Sequence, residues 1–511
     1  MGAKIRVGDL TMRRSIIGIG AIATMLGGAC KGGDDSGRAS DGDGPGIGTS
    51  GADTTGDEAG ETLPDEKLDV APPDDLPPPC VNLQCQQVAC ADPDVTTTVS
   101  GSVYDPSGTL PLYNVVVYVP NAEVEPLVDD LVCDQCDASP SGSPLVSALT
   151  DTQGRFVLEN VPVGTDIPLV IQIGKWRRQL TIPAVEACED TALDDPNMMR
   201  LPRSRAEGDL PRIALTTGAA DPLMCLLRRL GIDDSEYGIA GTDARVHFTH
   251  GARSGSPGSS RFDEGFGNPA GADFPPAHTT LWESGWEDYD IVLLSCEGTT
   301  GHADNDGLRA QMHDYINMGG RVFATHLHYT WIDGVPREDE AVQQELADFY
   351  ATATFGSNDD PSNFYNNGAV LDINTAIPKG EALADWLEFV EPNKTTPWGK
   401  FEAFQTRFLT RELHEMFTQL WVWHERATYD IPIYFAFNAP LAVPPEDQCG
   451  RMVFTDMHVS AGSGNANQPF PGACNDDAPL TEQEKVLIFL LFDLFACITP
   501  DEQPPQPPPP A

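Results

Sequence analysis

Basic residues are scarce in this chain. Lys and Arg number 31 against 77 Asp and Glu, and the formal net charge is −46 over 511 residues. Phosphate contacts need a basic face, so this balance argues against a nucleic-acid partner. Long apolar runs are also missing. The uncharged stretch from Ser15 to Ala29 and the C-terminal apolar segment carrying Asp493 both fall short of the ~20 residues that a retained helical span requires. Between Lys31 and Pro79 large apolar side chains are nearly absent. Such a segment cannot offset its ordering entropy by burial, and it is expected to stay disordered. No second close pair matches Cys133-Asp-Gln-Cys136, so a four-cysteine zinc knuckle is not expected there.

What is present begins with export. Lys4, Arg6, Arg13 and Arg14 precede the uncharged stretch, which ends in small residues; residues 1–29 read as a secretory signal. The small residues leading to Cys30 resemble a bacterial lipobox, with Leu26 one place further upstream than usual. That resemblance implies lipidation of Cys30 and a membrane partner through the lipid anchor. The chain would be exported and held at the outer membrane or facing the periplasm, or else secreted. Residues 30–94 then form an acidic tether, and the proline-rich residues 499–511 an unstructured tail. Twelve cysteines in an exported chain point to disulfides. Cys80, Cys85, Cys90, Cys133, Cys136 and Cys188 are candidates to staple the first folded unit, and Cys449, Cys474 and Cys497 are further candidates. Spacing alone does not choose the pairs. With Cys30 lipidated an odd number remains, leaving one unpaired or paired between chains.

Residues 95–202 alternate with period two. Thr98, Ser100, Ser102 and Tyr104 interleave with Val99, Gly101 and Val103, and Asp105-Pro106-Ser107-Gly108 makes a turn. Short strands between Gly, Pro and Asp turns predict a small all-β sandwich. Gly101-x-Val103-x-Asp105-x-x-Gly108, Val115-x-Val117, and Thr150-Asp151-x-x-Gly154-x-Phe156-x-Leu158 with Val161-Pro162-x-Gly164 resemble the carboxypeptidase regulatory-like (transthyretin-like) domain. The resemblance implies a structural or adhesive module with no catalytic residues. Lys175-Trp176-Arg177-Arg178 is an unusual basic aromatic patch, readable as a contact for a partner or the second domain, or as an edge strand with solvated arginines.

From 209 to 498 strands alternate with helices. Arg212 to Gly218, Asp290 to Leu294, Arg321 to Thr325 and Met452 to Thr455 read as strands; Leu223 to Leu230, Leu308 to Met318 and Thr481 to Ile498 read as helices. The second domain is therefore expected to be α/β with a parallel sheet covered on both faces. Tyr289-Asp290-Ile291-Val292-Leu293-Leu294 and Tyr315-x-x-x-Gly319-Gly320-Arg321-Val322-Phe323-x-x-His326 resemble the glutamine-amidotransferase-like superfamily, especially its ThuA-like branch. The resemblance implies a flavodoxin-like fold, here with a helical insertion at about 335–445. It departs at the nucleophile. A strained elbow needs a cysteine among small residues, but the stretch is Ala324-Thr325-His326-Leu327-His328, so amidotransferase activity is not expected. The whole layout resembles a family of myxobacterial envelope lipoproteins of unknown function.

The candidate crevice comprises His326, His328, Asp456, His458, Glu297 and Cys296. His326 and His328 are two apart, so on an extended segment both rings point one way. Asp456 and His458 repeat that spacing. Ligands gather outside the carboxyl ends of parallel strands, and His326, His328, His458 and Asp456 are a candidate set for Zn or another divalent metal. Cys296 is a candidate thiol, with burial or a disulfide as its plainer explanation. Tyr329, Trp331, Trp421 and Trp423 are candidate aromatics for a carbohydrate or small-molecule ligand, or packing. Asp304-Asn305-Asp306-Gly307 reads as a helix-entry turn, since the later ligands of a calcium loop are missing. Three functions stand, in this order: a non-catalytic ligand- or glycan-binding lipoprotein, a metal-dependent hydrolase, and a purely structural envelope protein.

Overall fold

The computed structural model describes residues 80–509, apart from 137, 218–219, 252–259, 301–304, 336–339, 357–367, 427–428, 460–467 and 476–477. The signal segment, Cys30 and nearly all of the tether lie outside the described residues.

Seven strands form the first part: β1 (Thr98–Ser102), β2 (Val116–Pro120), β3 (Pro144–Leu149), β4 (Arg155–Glu159), β5 (Gly164–Ile173), β6 (Trp176–Val185) and β7 (Asp190–Leu193). They make two sheets, β4-β1-β7 and β3-β2-β5-β6. Alternation explains the pairing of faces: in β4 only Phe156 and Leu158 are buried, because successive side chains point to opposite sides. They share one core with Val99 from their own sheet and Val117, Leu169 and Ile171 from the other, as a sandwich requires. Gly154 closes the turn before β4 at φ +74°, where an added Cβ would lie 2.8 Å from the Val103 carbonyl.

The second part is built on one large sheet. Its strands are β8 (Ile213–Thr217), β9 (Tyr237–Gly238), β10 (Val246–His250), β11 (Ile291–Leu294), β12 (Arg321–Thr325), β14 (Ala369–Ile373), β15 (Lys400–Ala403), β17 (Gln419–His424), β18 (Ile431–Ala439) and β19 (Gly450–Thr455). A separate pair joins β13 (Ala353–Phe355) to β16 (Thr410–Leu413). The spatial order is β15-β14-β17-β18-β19-β12-β11-β8-β10-β9. From β9 to β19 neighbours run parallel; from β19 to β15 they run antiparallel. The helices are α1 (Leu223–Arg229), α2 (Asp306–Asn317), α3 (Glu340–Glu345), α4 (Ala347–Tyr350), α5 (Pro378–Val390) and α6 (Glu482–Phe495).

The central strands are buried on both faces, which explains their unbroken apolar runs. Leu293, Phe323 and Val453 enter one core with α1, α5, α6 and the sandwich. Val292, Leu294, Val322, Met452 and Phe454 enter another, with Leu308 and Met312 of α2 and with Trp282, Trp286 and Trp331. Thr481 starts α6 with a reciprocal cap to Glu484. This helix is apolar nearly all round because it lies between the two parts: Trp176 meets Phe492 and Phe495, and Tyr113 stacks on Phe489.

Several expectations are corrected. The basic patch does open an edge strand, β6, but it is not solvated: Trp176 and Arg177 are buried, Arg177 pairs with Asp209, and Lys175 pairs with Asp290 of the second part. The insertion is largely strand rather than helix, since β14, β15, β17 and β18 extend the sheet. The proline-rich tail docks at separate points, its other described residues being mostly exposed: Asp501 is buried against Arg451 and Lys379, and the Pro508 carbonyl accepts from Ser147. Apolar content alone could not reveal a segment that docks through one carboxylate. Asn305 caps α2 by accepting from the Leu308 N–H, so that turn is a helix entry.

Five disulfides form: Cys80–Cys85, Cys90–Cys188, Cys133–Cys449, Cys136–Cys497 and Cys225–Cys474. Cys133 and Cys136 staple the two parts together rather than the sandwich to itself, and Cys225 joins the candidate set. Cys296 is the free cysteine among the described residues.

Around the amino end of β19, Arg451 bonds Asp493 and Asp501, and Lys379 bonds the same two carboxylates. Burial pushes the Asp501 carboxyl up, but Arg451 and Lys379 outweigh burial and hold it below the usual range. Asp501→Ala should cost about 3–5 kcal/mol at neutral pH, because it strands buried cations. A carboxylate depressed in the folded state contributes above its unfolded pKa and loses its contribution as pH falls through the folded value. The gap between wild type and variant in urea titrations should therefore narrow below about pH 4. A constant gap would refute this role.

Candidate metal centre

Four parallel strands bring the chemistry to one end of the sheet. Asp221 follows β8, Cys296 and Glu297 follow β11, His326 follows β12, and Asp456 and His458 follow β19. All lie beyond carboxyl ends. β8 has β10 on one side and β11 on the other, so the strand order reverses there, which is where such sheets open a crevice.

His326 sits at the break between β12 and a tight helical turn, His326–Trp331, with φ +44°. A non-glycine residue held in this left-handed region carries strain. The turn, not an extended segment, sets the ring directions, so His326 and His328 do not point together. His326 Nδ1 lies 3.2 Å from Cys296 Sγ, and its ring meets that of His458 edge to face at 4.8 Å between centroids. One donor atom from each of Cys296, His326 and His458 lies within 4.8 Å of the others, and all three residues are buried. A tetrahedral site with bonds of about 2.0–2.3 Å places its donors roughly 3.5 Å apart, so small adjustments would complete it.

The orientation of His458 is the sharpest detail. Its Nδ1 lies 3.0 Å from the Gln405 carbonyl and can only donate there. Nε2 is then an acceptor, buried and without a hydrogen-bond partner. Burial, helped by the Arg407 guanidinium, pushes the imidazole down to about 3, so it is neutral. A neutral imidazole held by its far nitrogen on a carbonyl is the outer-shell arrangement of metal-ligating histidines. Burial pushes the Cys296 thiol up to about 12, against backbone N–H groups of Leu327 and Gly298 that favour the thiolate. A metal would supply the remaining stabilisation, because its ligand is the deprotonated sulfur.

His328 belongs elsewhere. Its Nδ1 accepts from Trp331 Nε1 at 3.0 Å, and its Nε2 faces the Ser295 carbonyl at 2.9 Å and Glu297 at 3.3 Å. Both nitrogens and Glu297 are thus engaged away from the Cys296 group. Asp456 is a scaffold: one oxygen accepts from Leu409 N, Thr410 N and Thr410 Oγ1. Its other oxygen has no hydrogen-bond partner, and burial pushes the carboxyl up to about 7. The metal set read from sequence is therefore corrected, with Cys296 in and His328 and Asp456 out. Sequence reasoning missed Asp221, whose Oδ1 accepts from Val459 N and whose carboxyl burial pushes up to about 6. It also missed Arg407. The position of Asp221 just past the first strand was the available signal.

The aromatic candidates do not form a platform. Trp331 and Trp421 are fully buried, Trp331 against Trp282 and Trp286, and Trp421 with its N–H on Asp501. Trp423 and Tyr329 are partly buried, Tyr329 lying against Phe355.

No family model matches the chain, and no curated protein matches it. Among solved structures, a type II cohesin–X-dockerin complex from Acetivibrio cellulolyticus, mutated at its C-terminal interface, has 18% identity over 26% of this chain and 86% of that one, with a TM-score of 0.16. An N-terminal interface mutant of the same complex has 16% identity over 30% and 95%, also at 0.16. The dioxygenase domain of a dioxygenase carbohydrate-binding protein fusion from Streptomyces sp. SirexAA-E has 18% identity over 23% and 88%, at 0.11. Scores this low carry no argument about this chain.

His328→Ala should leave metal uptake intact while lowering stability by about 1–3 kcal/mol, the cost of stranding a buried N–H. Cobalt titration beside urea unfolding checks both. Loss of cobalt uptake in a folded variant would restore His328 to the ligand set.

Proposed function

We propose that this chain is an exported envelope protein whose larger part holds a divalent metal, zinc foremost, on Cys296, His326 and His458. Three protein ligands leave a fourth position open, the mark of sites that bind and activate a small molecule or water rather than merely brace a fold. Metal-assisted hydrolysis is accordingly the activity this reading favours. The observation that carries it is His458, neutral, fixed by its Nδ1, with a buried acceptor lone pair beside Cys296 and His326.

The remaining parts of the reading follow from sequence and topology. Five disulfides suit an extracellular or periplasmic setting, and no described helix is long and apolar enough to cross a membrane. Cys30 is the lipid-anchored residue in this proposal. The order β10-β8-β11-β12-β19 supports a flavodoxin-like core, being second-first-third-fourth-fifth among the main parallel strands. The sandwich, of the carboxypeptidase regulatory-like kind, positions that core.

The purified exported protein should contain near-stoichiometric metal by elemental analysis after growth with zinc supplied. Cys296→Ala, His326→Ala and His458→Ala should each lose at least tenfold in metal affinity. Wild-type protein that takes up no zinc, cobalt or manganese would refute the proposal.

A further inference from the structure

The proline-rich arm that follows Asp501 bridges a cleft on the sandwich. From Pro504 to Pro509 only Pro505 and Pro508 turn inward, and the residues between and beside them are exposed. That spacing of three is the repeat of a polyproline II helix. The arm is fastened by its carbonyls: Pro508 accepts from Ser147 Oγ at 2.9 Å, and Pro509 from Ser139 Oγ at 3.4 Å. Pro505 and Pro508 roof a cleft of about 680 Å³ that is partly open to solvent. Sites for small molecules measure about 300–1,000 Å³. The metal centre, at the carboxyl ends of β11, β12 and β19, shares no residue with this cleft.

Strand register builds the floor. Val116 of β2 stands opposite Leu149 of β3 on one side and Gln172 of β5 on the other. The three side chains therefore form a row on the outer face of that sheet, while their neighbours Val117 and Ile171 point into the sandwich core. Asn114, two residues before Val116, extends the lining. Two polar groups in it are left over. Asn114 is 9% exposed and held at φ +62°, with its N–H on the Thr150 carbonyl, yet its side-chain amide bonds no other described residue. Gln172 donates from Nε2 to the Gly174 carbonyl, while its Oε1 is buried without a partner. Buried amides are normally satisfied, and two left over in one cleft call for a partner from outside the chain.

The lining also selects the ligand's charge. No Lys, Arg or His stands among the described lining residues, so an anion would meet no counter-charge. Asp134 is the one charged group among them. Burial pushes its carboxyl up, against the opposing pull of Arg321 and Lys175, so two cations of the chain already answer it. What remains is neutral: Asn114 can donate and accept, and Gln172 Oε1 can only accept.

We propose that this cleft binds a small uncharged ligand through amide groups, a ligand carbonyl taking the Asn114 NH2 and a ligand N–H donating to Gln172 Oε1. The ligand's apolar body lies on Val116 and Leu149 beneath Pro505. Acetamido sugars and short neutral peptides both carry this chemistry, and the test separates them.

The purified exported protein is titrated by calorimetry with N-acetylglucosamine and, separately, with N-acetyl-alanyl-alanine amide. Each has a control: glucose, which lacks the amide, and unblocked alanyl-alanine, which carries charges. Wild type should bind one of the two amides saturably and its control roughly tenfold more weakly, the effect of one buried hydrogen bond lost. The tighter amide assigns the source. Asn114→Gly keeps the left-handed backbone accessible, and Gln172→Met keeps the side-chain length; each should weaken binding roughly tenfold for the same reason. Leu149→Trp, which fills the cleft and touches neither amide, should abolish it. Thermal melts check that the variants fold. A wild type that binds neither amide, or that binds the control as tightly as the amide, overturns the proposal without recourse to any variant. Folded Asn114→Gly and Leu149→Trp proteins that bind as wild type does overturn it as well.

Discussion

A sheet with both faces dry must handle its polar groups at its ends. The central parallel strands are buried front and back, and an unpaired charge in either core would cost several kcal/mol. The two ends meet this constraint differently. At the amino end, Arg451 and Lys379 are neutralised by Asp493 and Asp501, and Arg321 donates to the Leu494 and Ala496 carbonyls that end α6. At the carboxyl end, Asp221 and Asp456 each keep a buried carboxylate oxygen without a hydrogen-bond partner, and His458 keeps a buried imidazole nitrogen likewise. Buried polar groups are overwhelmingly satisfied in native proteins. Arg451 Nε at the amino end also lacks a hydrogen-bond partner but stands inside an ion cluster, whereas at the carboxyl end the unpartnered His458 nitrogen faces the Cys296 and His326 donors.

The same constraint explains the tail and the cross-links. Asp501 is the carboxylate that completes the Arg451 cluster, so a proline-rich segment without apolar content is held by charge. Cys133–Cys449 and Cys136–Cys497 fasten a loop of the sandwich beside that cluster, across 316 and 361 residues of chain. Each such bridge contributes roughly 2–4 kcal/mol, and together they keep α6 clamped between the parts. At the crevice end no disulfide holds the segment Gln405–Thr410 among the described residues; it is held by hydrogen bonds to the end of β19 and by the packing of Phe408 and Leu409.

Periodicity was a sound guide to elements and a poor one to side-chain direction. The runs at Asp290–Leu294 and Arg321–Thr325 announced buried strands because dry faces demand continuous apolar residues. The alternation around Phe156 announced a half-covered sheet for the opposite reason. Parallel strands, in turn, implied that the residues just past their ends would meet, which put Cys296, His326 and His458 in one crevice. What failed was the local step at His326. Reading 326–328 as extended aligned two imidazoles, whereas the chain turns sharply there, and Trp331 claims His328 from one turn further on. That contact depends on a turn whose entry is a strained φ at a histidine, which no propensity suggests. Arg407 was invisible for a different reason: it is more than a hundred residues from Cys296, and only the fold of the insertion lays its segment on the end of β19.

The chain's charge bears on what could reach such a centre. A net charge of −46 draws cations toward the surface and keeps anions away, which favours loading a divalent metal and opposes an anionic ligand. A divalent cation held by one thiolate and two neutral imidazoles would leave a local charge near +1, a small positive spot in a negative field. Salt would screen the surface charge more than the buried centre, since buried pairs are screened less than exposed ones, so metal uptake should slow as ionic strength rises while the bound metal is held nearly as tightly.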